Sequence, residues 1–72
     1  MKTVRIKDEY IKLGQLLKLA GLSESGAEAK ISINEGRVKL NGETVLERGK
    51  KIYPGDVVSF SGNDIEVENE GQ

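Results

Sequence analysis

Apolar residues recur at helical spacing in the first third of the chain. Positions i, i+3, i+4 and i+7 of one helical face are occupied by Leu13, Leu16, Leu17 and Ala20. The polar positions beside this stripe, which we expect to face solvent, are Lys12, Gln15 and Lys18. Gly14 lowers the helix propensity and predicts the close approach of another backbone. Gly21 predicts the helix end, because glycine readily adopts a left-handed conformation.

A second short helix is predicted directly after the first. Ser25 and Glu28 have the spacing of a capping box, in which the serine oxygen and the glutamate carboxylate each accept a hydrogen bond from an early N–H group. Ser23 is an alternative N-cap two residues earlier. Gly36 is a natural C-terminal stop. The apolar face of this helix consists of Ala29 and Ile33.

Turn residues divide the rest of the chain into short strands. The Asn41-Gly42 pair predicts a hairpin, because a type I′ turn needs positive φ at both central positions. Pro54-Gly55 predicts a type II turn, in which proline presets φ and glycine takes a positive φ. Further strands are predicted at 56–60 and 64–68, separated by Ser61-Gly62-Asn63, and a short one at 3–6.

The order of these elements predicts an α+β fold. One strand, two helices and several short strands follow one another without a linker or a repeat. Two helices this short cannot bury both of their apolar faces alone. We therefore expect a single domain over residues 1–72, in which two short helices pack on a small antiparallel sheet. The last few residues are expected to fray.

Composition disfavours an enzyme. The chain has 72 residues and contains neither cysteine nor histidine, so the commonest general base and the best nucleophile at neutral pH are missing. Disulfides and thiolate or imidazole metal sites are excluded, and no cofactor is expected. No apolar run approaches the roughly 20 residues that span a bilayer. The charged N-terminus lacks a signal-peptide core, so a soluble cytoplasmic protein is the expectation.

Basic residues are concentrated in one part of the chain. The formal net charge is −1, yet residues 37–51 contain five of the eleven basic side chains and two acidic ones, a local charge of +3. The remaining residues carry six basic and ten acidic side chains, a charge of −4. The five basic residues are Arg37, Lys39, Arg48, Lys50 and Lys51.

This concentration has a functional and a structural interpretation. If Val38 and Leu40 face the core, Arg37 and Lys39 alternate with them and face outward. Arginine and lysine on such a face suit phosphate groups, and Lys12, Lys18 and Lys30 on the helices extend the surface. A charged hairpin face can equally be a solvated face. Asn41-Gly42 is most simply a turn, although its tip can approach a sugar-phosphate backbone. Tyr53 can stack on a base or pack beside its turn.

The ordered combination of these motifs resembles a known family, the S-four RNA-binding domain, named after the fourth small-subunit ribosomal protein. The similarity runs over residues 13–60. The matching parts are Leu16-Leu17 with Gly21-Leu22, Ser25 with Ala29 and Lys30, "EGRVKLNGE" (35–43) and "RGKKIYPGDVV" (48–58).

The resemblance implies a fold, a function and a set of contacts. The fold is the αL motif, two helices packed against a small antiparallel sheet. The function is binding of structured RNA, ribosomal or transfer RNA, by a small stand-alone bacterial protein associated with ribosomal subunits or assembly intermediates. The contacts implied by the resemblance lie on the helix pair and the adjoining loop. On the basic surface we expect phosphate contacts from Lys30, Arg37, Lys39, Arg48, Lys50 and Lys51, with Lys12 and Lys18 peripheral, and hydrogen bonds from Ser25, Asn41 and Gly42.

Two positions depart from the family pattern. Many members carry arginine directly after the serine that starts the second helix, where this chain has Gly26. Glu47 stands before Arg48 where another basic residue is expected, and it lowers the local potential. The alternative hypothesis is a protein-interaction module without direct RNA contact.

Overall fold

The computed structural model describes residues 1–71, which contain two helices and seven strands. The order along the chain is β1 (Lys2–Ile6), β2 (Ile11–Lys12), α1 (Leu13–Leu19), α2 (Gly26–Asn34), β3 (Val38–Leu40), β4 (Glu43–Thr44), β5 (Lys51–Ile52), β6 (Val57–Phe60) and β7 (Asn63–Asn69). Both predicted helices and all of the predicted strands are present. The two-residue strands β2 and β5 had no signal in the sequence pattern.

Both helices end at the predicted glycines. Gly21 and Gly36 each have a φ of +76°. The N–H of Gly21 donates to the carbonyl of Lys18 and the N–H of Leu22 to that of Leu17, the bond pattern of a Schellman motif. Helix α2 ends with the same pair of bonds around Gly36. Two identical helix ends therefore follow from one glycine each.

The start of α2 is fixed by a pair of serines. Ser25 has extended backbone dihedrals, and its Oγ accepts a hydrogen bond from the N–H of Glu28 at 3.2 Å. Ser25 is therefore the N-cap, as predicted, whereas within residues 1–71 the Glu28 carboxylate accepts no return bond from the N–H of Ser25, so only the serine half of the capping box forms. The alternative cap, Ser23, is buried, and its hydroxyl donates to the carbonyl of Ser25 at 2.7 Å. Ser23 thus stabilises the backbone conformation of the capping residue through this hydrogen bond.

The larger sheet has the strand order β1-β7-β6-β3-β4. Its neighbours β7, β6, β3 and β4 are antiparallel, whereas β1 pairs parallel with β7. The α+β fold with two helices on a small sheet is confirmed, and the sheet is mixed because the first strand runs alongside the last. The alternation of polar and apolar residues predicts which residues form strands, but it does not indicate which strand pairs with β1.

The predicted turns have the predicted backbone conformations. Asn41 and Gly42 have φ of 51° and 87°, and Leu40 pairs with Glu43 across them, which is the type I′ hairpin. Gly55 has a φ of 97°, and the N–H of Asp56 donates to the carbonyl of Tyr53, as in a type II turn.

A second, smaller ladder pairs the segment just before α1 with the segment between β4 and β6. Strand β2 pairs antiparallel with β5, with Ile11 opposite Ile52 and Lys12 opposite Lys51. The two isoleucines are buried and the two lysines are exposed. Because side chains alternate along a strand, one face of this ladder covers the core and the other faces solvent.

One apolar core lies between the helices and the two sheets. The helices contribute their predicted stripes, and the larger sheet contributes one face of β1, β3, β6 and β7. The largest fully buried side chains are Leu13, Leu16, Leu17, Ile33, Val38, Ile52, Val58, Ile65 and Val67. Burial of this cluster, at roughly 1.5–3 kcal/mol for each large apolar side chain, is the main force that holds the helices on the sheets.

The chain end is only partly described. Strand β7 ends at Asn69, whose side-chain oxygen accepts a hydrogen bond from the N–H of Gly71 at 2.9 Å. The predicted fraying of the last few residues stays a prediction, and Gln72 lies outside the described residues. Across residues 1–71, neither helix has the length and apolar character needed to cross a membrane.

Candidate nucleic-acid interface

The segment around Arg48 is bound to the start of helix α1. The first N–H groups of a helix have no partner within the helix. Here the N–H of Leu13 donates to the carbonyl of Lys50 at 2.9 Å, and the N–H of Gly14 donates to the carbonyl of Arg48 at 3.1 Å. The loop carbonyls therefore replace a side-chain cap and fix the Arg48 backbone beside α1.

Gly14 allows Arg48 to lie directly on the helix. A Cβ at position 14 would be 2.6 Å from Cγ of Arg48, 3.1 Å from its Cδ and 3.7 Å from its carbonyl oxygen. Carbon atoms at 2.6 Å overlap, so any larger residue would displace the arginine. A close approach is present at Gly14, but a side chain comes nearer than the backbone that was predicted. The nearest atoms belong to the side chain of Arg48, and its backbone carbonyl oxygen is farther away, at 3.7 Å.

A groove opens between this loop and the two helices. It encloses about 350 Å³ and is lined by Lys12, Gly14, Gln15, Lys18, Gly26, Arg48 and Gly49. Three of these residues are basic and none is acidic. Gln15 and Lys18 are three residues apart and so share one face of α1, and Lys12 directly precedes this helix as its N-cap residue. We call this feature the basic groove.

The N-terminus of α2 forms one wall of the basic groove. Gly26 is the first residue of α2 and lines the groove, so the positive end of that helix dipole adds to the lysine and arginine charges. Ser25 precedes it, with its hydroxyl oxygen occupied as the N-cap. Lys30 is exposed four residues further on, which places it on the same helical face as Gly26.

Two of the predicted contacts lie away from the basic groove. Lys39 alternates with buried Val38 on β3, so it projects from the face of the larger sheet opposite the helices. Arg37 follows the end of α2, and its Nε is 3.2 Å from a carboxylate oxygen of Glu35. A role for these two residues in RNA contact stays a prediction.

The hairpin tip has a structural task. The side-chain amide of Asn41 donates to Asp56 at 3.1 Å, and its oxygen accepts from the N–H of Val57 at 2.9 Å. Both ends of this amide therefore bind the neighbouring turn. Gly42 completes the type I′ turn beside it. Contact of this pair with RNA also stays a prediction.

The last two predicted contacts are Lys50, which directly precedes β5, and Lys51, which is the first residue of β5. Lys50 borders a separate concavity together with Glu47 and the segment 44–46. Lys51 projects from the solvent face of the β2–β5 ladder directly opposite Lys12. The structure thus brings Lys12, Lys18 and Arg48 together, with Ser25, Lys30 and Lys51 at the edges.

Four groove residues, Gly14, Gln15, Gly26 and Gly49, were not among the predicted contacts. Gln15 lies between the two groove lysines, and Gly26 and Gly49 form walls without side chains. The regular spacing of residues 12, 15 and 18 is the sequence signal that indicates Gln15. The position of Gly49 depends on how the loop docks on α1, which no local pattern contains.

The family follows from the match of the chain to a known domain. The model of the S4 domain matches residues 4–68. The chain belongs to the S4 domain family. The match runs from within β1 to near the end of β7 and contains every residue of the basic groove, so the S4 resemblance of residues 13–60 is confirmed and extended at both ends.

Two bacterial proteins resemble this S4 domain over most of their length. The chain is 48% identical to YbcJ of Escherichia coli (strain K12) over 61 residues, which are 85% of the chain and 87% of YbcJ. It is 46% identical over 59 residues to RlbA of Bacillus subtilis (strain 168), named as a probable ribosome maturation protein, with 82% and 83% covered.

A solved structure shows the same fold. The solution structure of YbcJ, described as revealing an αL motif involved in RNA binding, superposes with a TM-score of 0.73 at 45% identity and covers 94% of this chain and 87% of that one. The predicted αL motif is therefore confirmed. A tyrosine–tRNA ligase of Burkholderia lata is 46% identical over 56 residues, 78% of this S4 domain but 14% of the ligase.

Proposed function

We propose that this S4 domain is a non-catalytic, cytoplasmic protein that binds structured RNA, with ribosomal RNA or a ribosome assembly intermediate as its partner. The observation that carries the proposal is the basic groove, in which Lys12, Lys18 and Arg48 converge without an acidic lining residue. The names of YbcJ and RlbA support RNA and the ribosome as the partner class.

The geometry of the groove suits a phosphate backbone. Arg48 offers a planar fork of donors, and the two lysines offer mobile point charges. The bonds from Leu13 and Gly14 hold the arginine backbone in place before any RNA arrives, so little ordering is needed on binding. A-form RNA is recognised largely by shape, phosphates and 2′-hydroxyls, for which a rigid basic groove is sufficient.

The S4 domain also occurs within larger enzymes, such as the tyrosine–tRNA ligase to which this chain is similar. In such an enzyme the matching region accounts for a small part of the length. The S4 domain described by this sequence contains no histidine or cysteine, so we assign the groove a binding role rather than a catalytic one.

The proposal is tested by a charge reversal inside the groove and a matched one outside it. Lys18→Glu with Arg48→Glu should lower affinity for deproteinised ribosomal RNA by roughly tenfold for each lost contact, since hydrogen bonds to charged groups contribute ~1.5–3 kcal/mol. The slope of log affinity against log salt should become shallower by about 0.7–0.9 for each contact. Affinity is measured by filter binding over a salt series.

The control is Arg37→Glu with Lys39→Glu, which changes net charge equally but lies outside the groove. We expect it to alter affinity and salt slope much less. Equal effects of the two pairs would show that only net charge matters, and the basic groove would lose its assignment. In-cell crosslinking followed by sequencing of the bound RNA identifies the partner, and recovery of a protein in place of RNA would favour the protein-interaction alternative.

A further inference from the structure

The β2–β5 ladder is flanked by two tyrosines in a symmetric arrangement. The chain reads Tyr-Ile-Lys at 10–12 and Lys-Ile-Tyr at 51–53. Ile11 pairs with Ile52, so extension of the same register sets Tyr10 opposite Tyr53. Because side chains alternate along a strand, both tyrosines and both lysines project from the solvent face. We call Tyr10, Lys12, Lys51 and Tyr53 the aromatic–lysine cluster.

Three of the four side chains are in direct contact. The tyrosine ring centroids are 5.8 Å apart at an interplanar angle of 48°. Nζ of Lys51 lies 4.9 Å from the centroid of Tyr10, within the range of a cation–π interaction. One face of Tyr10 is therefore covered by the lysine, while Tyr53 remains 42% exposed. These are the only tyrosines of a chain that has one phenylalanine and no tryptophan, and neither is in the buried core.

Fold stability does not explain the charge of Lys12. Lys12 and Lys51 are directly opposite each other on neighbouring strands, where like charges are destabilising. Lys12 is also the N-cap residue of α1 and makes no side-chain capping bond, although a helix N-terminus favours acidic or small polar residues. A phosphate between the two lysines would remove the repulsion.

The cluster is continuous with the basic groove. Lys12 lines the groove, and it also lines an adjoining concavity of about 380 Å³ with Asp8, Tyr10, Ile11 and Gln15. A chain of nucleotides whose phosphates follow the groove would reach the tyrosines by way of this concavity. The rings then meet the base of the nucleotide that leaves the groove beside Lys12.

We propose that the aromatic–lysine cluster is a stacking site for an unpaired nucleobase next to the RNA duplex held in the basic groove. The proposal rests on the proposed RNA-binding function and adds the class of RNA, a duplex with a single-stranded flank. Tyr53 supplies the exposed π face, Tyr10 supports it, and Lys12 and Lys51 hold the adjoining phosphate. Stacking of a base on an aromatic side chain contributes about 1–3 kcal/mol.

The test compares two RNA probes on the intact protein. One is a blunt RNA hairpin of about one turn of A-form helix, and the other is the same hairpin with a short single-stranded adenosine extension. Affinities are measured by fluorescence anisotropy. The extension should raise affinity by about 5- to 150-fold, the range that corresponds to one stacked base. Tyr53→Ala should abolish this gain and leave the blunt hairpin's affinity within about twofold of the wild type, since the groove is intact.

Two further variants separate stacking from folding. Tyr53→Phe keeps the π face and should keep the gain, whereas Tyr53→Leu keeps an apolar side chain without a π face and should lose it. Because both tyrosines lie in the cluster and tryptophan is absent, tyrosine fluorescence reports on this site alone and should be quenched more by the extended hairpin. Thermal melts confirm that each variant is folded.

The outcomes distinguish this proposal from the function on which it rests. Equal affinities for the two hairpins, or a gain that survives Tyr53→Ala, would overturn the stacking site. If Arg48→Glu still weakened both complexes in that case, the groove function would stand without it. If Arg48→Glu changed neither affinity, the groove function itself would fail and the stacking site with it.

Discussion

The outer face of the larger sheet and the basic groove both carry basic side chains, in different surroundings. On the sheet, Arg5 lies 3.5 Å from Glu68, and Lys39 stands in one row with Ser59 and Asp64 across β3, β6 and β7. The groove lining contains three basic residues and no carboxylate. Both ion pairs found within residues 1–71 lie outside the groove.

The local density of basic residues in the sequence therefore does not predict which of them converge in space. Residues 37–51 have the highest basic density, yet the fold sends Lys39 to the outer sheet face and Arg48 to the groove. Lys12 and Lys18 come from a different part of the chain. What distinguishes the groove is the convergence of three basic side chains on a lining that contains no carboxylate.

The largest expected effect is a loss of stability on substitution of Asn41, whose side chain connects two turns at the edge of the larger sheet. Asn41→Ala removes the bonds to Asp56 and Val57 and forces a φ of 51° on a residue that disfavours it. We expect the free energy of unfolding to fall by about 2–3 kcal/mol. Urea denaturation measures the loss. RNA affinity below the unfolding temperature should stay unchanged.

Asn41→Gly is the matched control for this substitution. Glycine tolerates the positive φ, so this variant isolates the two side-chain bonds and should lose less stability than Asn41→Ala. A loss of RNA affinity in both folded variants would instead assign the hairpin tip to the RNA-binding surface.

The next effect concerns Gly26, where the chain departs from the family pattern. A Cβ at this position meets no atom within 4 Å, so a long side chain fits at the groove wall. Gly26→Arg should raise RNA affinity by about tenfold, because it adds one charge-assisted contact. The salt slope should steepen by about 0.7–0.9. Gly26→Gln adds length without charge and should do neither; an equal gain in that variant would refute the electrostatic explanation.

The smallest effect is a gain in stability at Lys12. Lys12→Asp supplies a capping side chain at the start of α1 and removes the repulsion from Lys51, so the free energy of unfolding should rise by about 1 kcal/mol. RNA affinity should fall at the same time. Lys18→Asp changes net charge equally but lies in the last turn of α1, where an acidic residue is unfavourable.

The two aspartate variants should therefore both bind RNA more weakly while their stabilities move in opposite directions. Parallel urea titrations and binding curves give both quantities. If Lys12→Asp lost stability, the lysine would be part of the structural framework, and its assignment to the groove and to the aromatic–lysine cluster would be weakened.

Much of the fold was predictable because its determinants are local. The period of the apolar residues predicted α1 and α2. Gly21 and Gly36 predicted where these helices end, and Ser25 predicted where α2 begins. Asn41-Gly42 and Pro54-Gly55 encoded their turns through the φ values that these residues favour. The parallel pairing of β1 with β7 and the short β2–β5 ladder join residues far apart in the chain, so no local period reports them.

The candidate site was predicted only in part for the same reason. The residue types and all three basic residues of the groove could be named from the sequence, and Gly14 indicated a close neighbour without saying which one. Their convergence depends on two backbone bonds from α1 to the Arg48 segment. The helices, the turns and the stock of basic side chains thus follow from local sequence. Which of those side chains share a groove is set by the tertiary structure, because long-range packing fixes the relative positions of segments that local preferences leave independent.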